Sequence, residues 1–169
     1  MNKVCVIAGV GPGNGASLSR RFSAEDYTVV MLARNQDYLD SLSREIPGSI
    51  PMVCDVREPD AIKAVFSQIH DRAGSVDTLV YNAGSGQWTS IMETSVEGMH
   101  SSWTTNTLGL LVCAQQVIPG MSERDEGNIM VIGATASLRG GAQSTAFASA
   151  KAAQRSLAQS MARDLGPKG

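Results

Sequence analysis

The residues best suited to chemistry are the glycines of one segment near the N-terminus. Residues 9–15 read GVGPGNG, and they follow an apolar run and precede a helical pattern. Glycines let the backbone turn tightly and approach an anion without a Cβ in the way, and the first N–H groups of a helix can bind that anion. We therefore predict a pyrophosphate-binding turn that uses Gly9, Gly13, Asn14 and Gly15. A plain flexible connection is the alternative.

The elements that must position this turn are visible as alternating apolar and amphipathic stretches, which are typical of βα units around a parallel sheet. Strands are predicted over residues 4–8, 28–33, 50–54, 78–81 and 129–132, and helices over residues 15–23, 37–45, 59–72, 96–121 and 146–165. A strand, a glycine turn, a helix and a second strand within about thirty residues are the frame of a dinucleotide-binding fold. We expect an α/β, Rossmann-type three-layer αβα sandwich with a parallel sheet.

The predicted organisation is a single NAD(P)-binding domain over residues 1–169. Gly166 and Pro167 are typical of a helix end, and the chain stops soon after them. Because an open sheet of this kind normally continues into further strands, the domain is expected to be incomplete at its C-terminus and to lack the last strands.

A positively charged side chain, Arg34, follows the second predicted strand in Ala33-Arg34-Asn35. A site that selects NAD carries an acidic residue near this point to bind the adenosine ribose, and none is present here. Arg34 instead offers a planar charged group suited to a 2′-phosphate. The sequence therefore predicts NADP(H) in preference to NAD(H). The alternative is a solvated surface arginine.

Composition excludes several other functions. The formal net charge of −2 provides no basic field for nucleic acid. The sequence contains no apolar run of about 18 residues, which a membrane-spanning helix would need, and no signal-peptide pattern. A cytoplasmic protein is therefore expected. Cys5, Cys54 and Cys113 lie far apart in apolar stretches and are predicted to be buried free thiols, and His70 and His100 are isolated. No metal site is predicted.

Several motifs together resemble the short-chain dehydrogenase/reductase family over essentially the whole chain. The glycine turn fits the family's Thr-Gly-x3-Gly-x-Gly pattern, with Ala8 replacing the threonine. The resemblance implies an adenine contact at Asp55-Val56 and a cofactor-bordering motif at Asn82-Ala83-Gly84. It also implies that Asn106 is the active-site asparagine. The family activity would be oxidation or reduction of a CH–OH or carbonyl group on a small molecule.

The catalytic motif departs from the family pattern. The family uses Tyr-x3-Lys, whereas this chain has Phe147 followed by Lys151 at the same spacing. Counting back by the usual separation places Ala134 where the family has serine. Hydride transfer to a carbonyl also requires a proton at the oxygen, which phenylalanine cannot supply. By resemblance, Lys151 could still bind the nicotinamide ribose, so Asn106 and Lys151 remain as candidate catalytic residues.

Two functional interpretations follow. The first is an oxidoreductase with a modified proton-transfer arrangement, in which another hydroxyl replaces the tyrosine. The candidates are Tyr81, at the end of the fourth predicted strand, and the nearby residues Thr135, Ser137, Ser144, Thr145 and Ser149. The second is a catalytically impaired dinucleotide-binding protein or fragment with a role in binding or assembly.

The resemblance also implies a homodimer or homotetramer of the complete protein, with the helices that contain Asn106 and Lys151 paired across a two-fold axis. The residues expected to supply that surface are Leu110, Leu111, Ala114, Met121, Leu157 and Met161. The alternative is that these side chains pack under the sheet of their own chain.

Overall fold

Five parallel strands form one sheet in the order β3-β2-β1-β4-β5. The coordinates are a computed structural model that describes residues 2–169. The strands are β1 (Val4–Ala8), β2 (Thr28–Ala33), β3 (Ile50–Val53), β4 (Thr78–Tyr81) and β5 (Asn128–Val131). Val6 of β1 pairs in register with Val30 of β2 and with Leu79 of β4. The strand order reverses at β1, and such a reversal opens a crevice at the carboxyl ends of the strands.

In the described part of the chain, five helices lie between successive strands, and a sixth follows β5. They are α1 (Asn14–Ala24), α2 (Gln36–Glu45), α3 (Pro59–Ala73), α4 (Val96–Trp103), α5 (Gly109–Glu123) and α6 (Thr145–Leu165). A π-helical segment, Thr104–Leu108, joins α4 to α5, and short 3-10 turns cover Thr135–Ser137 and Gly166–Lys168. None of the helices within residues 2–169 is long and apolar enough to cross a membrane.

Alternate residues of β1 enter two separate hydrophobic cores because successive side chains of a strand point to opposite faces. Val4, Val6 and Ala8 pack with residues of α3 and α5, whereas Cys5 and Ile7 pack with residues of α1 and α2. All five residues of β1 are buried. The expected three-layer sandwich around a parallel sheet is therefore confirmed. Its central strand is apolar throughout because helices cover both of its faces.

The predicted strand positions agree with the structure to within one residue. The third strand ends at Val53 instead of Cys54, and the fifth runs over Asn128–Val131 instead of residues 129–132. The three cysteines are free and buried, as expected. Burial raises the pKa of the Cys54 thiol to about 11, so this sulfur is an apolar core group at neutral pH.

The long helix predicted over residues 96–121 is confirmed as a continuous helical stretch over residues 96–123, but its segment Thr104–Leu108 is π-helical, which the sequence did not predict. The segment contains Asn106, and the buried Tyr81 hydroxyl donates a hydrogen bond of 2.5 Å to the Thr105 carbonyl. This contact comes from β4, which is distant in sequence. Hydrophobic periodicity along one helix could not reveal it.

The surface expected to form a dimer is wrong for three of its six residues. Leu110, Ala114 and Met121 are buried inside their own chain, and Leu157 and Met161 pack against the same core. Among the apolar residues expected at this surface, Leu111 alone is exposed, at 36%. Leu110, Ala114 and Met121 instead pack within their own chain, which is the alternative that the sequence left open.

Candidate functional site

A cleft of about 920 Å³ lies where the loops after β1, β2, β3 and β4 meet. Each loop contributes a separate group of residues. The lining residues are Gly9, Val10, Gly11, Gly13, Asn14, Gly15, Leu32, Ala33, Arg34, Asn35, Cys54, Asp55, Val56, Arg57, Asn82, Ala83, Gly84, Ser85, Ser101 and Thr105. Every cofactor-contact residue predicted from the sequence is among them except Lys151. The position of the cleft matches the crevice at which parallel α/β sheets bind ligands.

The glycine turn contains glycines of two kinds. Gly9 has a φ of +95°, and a Cβ there would lie 2.5 Å from the Ala83 Cα; a Cβ at Gly15 would lie 2.7 Å from the Val10 Cα. By contrast, apart from the glycine itself and its two chain neighbours, no residue among 2–169 has an atom within 4 Å of a Cβ built on Gly11 or Gly13. Gly9 and Gly15 are therefore required by the chain's own packing, whereas Gly11 and Gly13 keep the cleft clear.

The first turn of α1 borders the cleft. Gly13 is its N-cap, and no side chain of the described residues caps it. The first N–H groups of a helix lack intrahelical partners and carry partial positive charge, so this end of α1 suits an anion. The backbone of the turn is itself fixed, because the N–H groups of Gly9 and Val10 both donate to the Leu32 carbonyl at 2.9 Å.

Asn82 ties the end of β4 to the glycine turn. Its Nδ2 donates a 2.6 Å hydrogen bond to the Gly9 carbonyl, and its backbone N–H donates to the Ala8 carbonyl at 2.9 Å. Ala83, the next residue, lies against Gly9. The Asn82-Ala83-Gly84 motif therefore holds two loops of the cleft at a fixed separation.

Charged groups gather at the end of the cleft formed by the loops after β2 and β3. Arg34 and Asn35 follow β2, and Asn35 caps α2 by accepting a 3.0 Å hydrogen bond from the Tyr38 N–H. Asp55 pairs with Arg57, whose Nη2 lies 2.5 Å from Oδ2. Hydrogen bonding by Arg57 lowers the pKa of the Asp55 carboxyl, so Asp55 is charged at neutral pH. Arg57 was not predicted from the sequence, although its position two residues after Asp55 was the available signal.

Asn106 and Lys151 meet beneath Gly84 and do not line the cleft. A Cβ built on Gly84 would lie 3.3 Å from Asn106 Oδ1 and 3.5 Å from Lys151 Nζ. Asn106 Nδ2 donates to the carbonyls of Ser85 and Ser102 at 2.6 and 2.7 Å. Its Oδ1 is buried and has no hydrogen-bond partner among residues 2–169.

Lys151 is held by two oxygen atoms. Its Nζ donates to the Ile132 carbonyl and to Gln154 Oε1, both at 2.9 Å. Burial lowers the pKa of the Lys151 ammonium because the charged form loses hydration. Gln154 is also buried, and its Nε2 has no hydrogen-bond partner within the described part of the chain.

Phe147 lies at the tyrosine position of the Tyr-x3-Lys pattern. Its ring packs against Trp88 with centroids 5.2 Å apart, and Lys151 Nζ lies 6.0 Å from the ring centroid. A Cβ built on Gly86 would lie 2.6 Å from the Phe147 Cβ, so the backbone passes directly beside this side chain. The structure thus brings Phe147 and Lys151 together, as their spacing predicted, but in an aromatic environment.

Most of the hydroxyl groups considered as substitutes are engaged elsewhere. Tyr81 is fully buried and bonded to Thr105, and the hydroxyls of Ser144, Thr145 and Ser149 donate to backbone carbonyls. Ser137 is buried, whereas Thr135 is exposed and follows Ala134 in the 3-10 turn. Local hydrogen bonding of this kind is common for Ser and Thr near helix ends.

Comparisons with known proteins are consistent with this arrangement. The family model described as short chain dehydrogenase matches residues 3–169. D-xylose 1-dehydrogenase from Caulobacter vibrioides is 33% identical over 169 residues, which cover 98% of this chain and 66% of that protein. A structure of an F-to-W variant of actinorhodin polyketide ketoreductase with NADPH superposes with a TM-score of 0.95 at 26% identity, covering 99% of this chain and 67% of that chain.

A second solved structure is a Tyr-to-Phe variant of ElxO with NADPH bound. It superposes with a TM-score of 0.90 at 25% identity, and the match covers 100% of this chain and 70% of that chain. The chain therefore spans about two thirds of the length of the proteins it matches.

The two kinds of glycine predict different effects of a glycine-to-alanine substitution on stability. Gly15→Ala should lower the free energy of unfolding by about 1–3 kcal/mol, because its Cβ overlaps the Val10 backbone. Gly11→Ala should change it by less than about 0.5 kcal/mol, because the space beside it is open. Urea unfolding of both variants followed by circular dichroism tests this, and equal losses of stability would contradict the distinction.

Proposed function

Because the chain belongs to the short chain dehydrogenase family of oxidoreductases, we propose that it binds NADP(H) in preference to NAD(H) and acts on a carbonyl or alcohol group of a small molecule. The observation that carries this proposal is the cleft itself, in which an unobstructed glycine turn at the N-terminus of α1 lies at one side and Arg34 at another. The turn suits a pyrophosphate, and Arg34 suits a 2′-phosphate.

The cleft fits a dinucleotide in volume and chemistry. Its volume of about 920 Å³ lies near the upper end of the range of roughly 300–1,000 Å³ that small-molecule sites occupy. The open space at Gly11 and Gly13 would be filled by any residue with a larger side chain. The ketoreductase and ElxO variants with the same fold are both described with NADPH, which supports the same cofactor class here.

Each loop of the cleft has a separate role in this proposal. Backbone N–H groups of residues 13–15 hold the pyrophosphate, Arg34 binds the 2′-phosphate, and Asp55 with Val56 borders the adenine. Asn82 fixes the wall formed by Ala83 and Gly84, with the Lys151 ammonium beneath it. The bound nicotinamide would supply or accept a hydride at the substrate carbon.

Removing the Arg34 charge should reduce the difference between the affinities for NADPH and NADH. The wild-type chain should bind NADPH more tightly than NADH, and Arg34→Ala should weaken NADPH binding by about tenfold or more with little effect on NADH, because only NADPH carries the 2′-phosphate. Nicotinamide fluorescence or calorimetry provides both affinities. Arg44→Ala is the matched control, since Arg44 is an exposed arginine of α2 outside the cleft. Equal affinities of the wild type for the two cofactors would remove the proposed preference.

A second function, cofactor binding without efficient turnover, is favoured by one specific observation. Phe147 packs against Trp88 at the position of the family's proton donor, and Ala134 provides no hydroxyl nearby. The loss of a general acid typically costs about 10²- to 10⁴-fold in rate. Among the substitute hydroxyls, only Thr135 is both exposed and free of a side-chain hydrogen bond within residues 2–169.

Restoring the missing groups discriminates between the two functions. The double variant Phe147→Tyr with Ala134→Ser should increase NADPH-dependent reduction of small carbonyl compounds by about 10²-fold or more if the rest of the site is competent. The single variant Ala134→Ser is the matched control, since it adds a hydroxyl without the phenol. Unchanged rates in a protein that binds NADPH would favour the binding role.

We also propose that two copies of the chain associate through α4. Val96, Met99 and Trp103 lie at i, i+3 and i+7 on this helix and are 80%, 40% and 44% exposed, and Leu111 of α5 is exposed as well. An apolar helix face of this kind is typical of an interface between protein chains.

A charge on this face should dissociate the dimer. Trp103→Glu should yield monomers in sedimentation velocity, because a desolvated carboxylate would enter the interface. Leu138→Glu is a control at an exposed apolar residue outside α4 and α5. A monomeric wild type, or a Trp103→Glu dimer, would contradict the proposed interface.

A further inference from the structure

Three charged side chains lie at the Arg34 end of the cleft, and they differ in whether they are paired. Arg34, Asp55 and Arg57 all line the cleft, and two of them are paired with each other. Arg57 Nε lies 3.0 Å from Asp55 Oδ1 and 3.1 Å from Oδ2, and Nη2 lies 2.5 Å from Oδ2. The pairing therefore engages both carboxylate oxygens, as in a bidentate arginine–carboxylate pair.

The backbone strengthens the same pair. The Arg57 N–H donates to Asp55 Oδ1 at 3.0 Å, so one residue provides both backbone and side-chain donors to the carboxylate. The two residues are separated by a single position, and their side chains are 42% and 25% exposed. Because the two residues are so close in sequence, the guanidinium contacts the carboxylate without help from another element.

Arg34 differs from Arg57 in having no hydrogen bond or ion pair to any of residues 2–169. Arg34 and Asp55 nevertheless line the same cleft. The hydrogen bonds of Arg57 are the main cause that lowers the pKa of the Asp55 carboxyl, and the charge of Arg34 adds a smaller effect in the same direction. An unpaired Asp55 would therefore compete for Arg34 and would repel a phosphate bound there. With Arg57 in place, the carboxylate charge is balanced locally, and Arg34 remains an uncompensated cation.

We propose that Arg57 is a specificity-determining residue that acts through Asp55, and that its pairing keeps Arg34 available for the 2′-phosphate of the cofactor. This inference rests on the proposed binding of NADP(H). Arg57 is thus a positioning residue: it balances a carboxylate that would otherwise weaken phosphate binding. A direct contact between Arg57 and the cofactor is the competing explanation, and the two give different results in a double-mutant experiment.

The experiment compares the wild type with Arg57→Ala, Asp55→Asn and the double variant by titrating each with NADPH and NADH. The readout is the ratio of the two affinities, which an effect on folding or on the shared part of the cofactor would not change. Arg57→Ala should lower the preference for NADPH by about tenfold, because Asp55 is then unpaired. Asp55→Asn should leave the preference equal or higher, and the double variant should match Asp55→Asn.

Arg72→Ala is the matched control, because it removes an equal charge from an exposed arginine of α3 outside the cleft. A preference that stays low in the double variant would overturn the role through Asp55 and indicate direct contact. An unchanged preference in Arg57→Ala would overturn the inference while leaving the proposed function intact. Failure of the wild type to bind either cofactor would overturn the proposed function and this inference with it.

Discussion

The contact on which the cleft depends is the approach of the glycine turn to the end of β4. A Cβ on Gly9 would overlap the Ala83 backbone, and the Gly9 carbonyl accepts the Asn82 side chain. This contact therefore couples Gly9 to Asn82 and Ala83, which lie more than seventy residues further along the chain. It also fixes the separation of the loops after β1 and β4, and the open space at Gly11 and Gly13 exists because the backbone around them is held.

Local patterns predicted the parts of the molecule that local physics determines. The apolar runs gave β1, β2 and β4 with their bounds, since strands covered on both faces need continuous apolar sequence. The glycine turn was predictable because its spacing reflects backbone geometry. The π-helical segment was not, because it accompanies a hydrogen bond from Tyr81 to a carbonyl distant in sequence. The burial of Leu110 and Ala114 depends likewise on which helix face meets the sheet, which an apolar face alone does not specify.

The site has a polar part and an aromatic part that are held independently. Lys151 is fixed by the Ile132 carbonyl and by Gln154, and neither contact involves residue 147. Replacement of a tyrosine by Phe147 is therefore compatible with an ordered lysine. Phe147 in turn packs against Trp88 and the backbone of Gly86. The groups that would hold a cofactor can persist while the group that would move a proton is absent.

The hydrogen bonding around Lys151 favours a ligand-binding role for this polar part over a purely structural one. Asn106 Oδ1 and Gln154 Nε2 are both buried without partners among the described residues. An unsatisfied buried polar atom costs about 1–3 kcal/mol, and an apolar replacement would remove that cost. A polar network kept only for stability would be expected to satisfy its own members. Asn106 Oδ1 and Lys151 Nζ lie beneath the Gly84 wall of the cleft, and Gln154 bonds to Lys151, so the incomplete bonding of these groups supports the proposed binding of a ligand beside them.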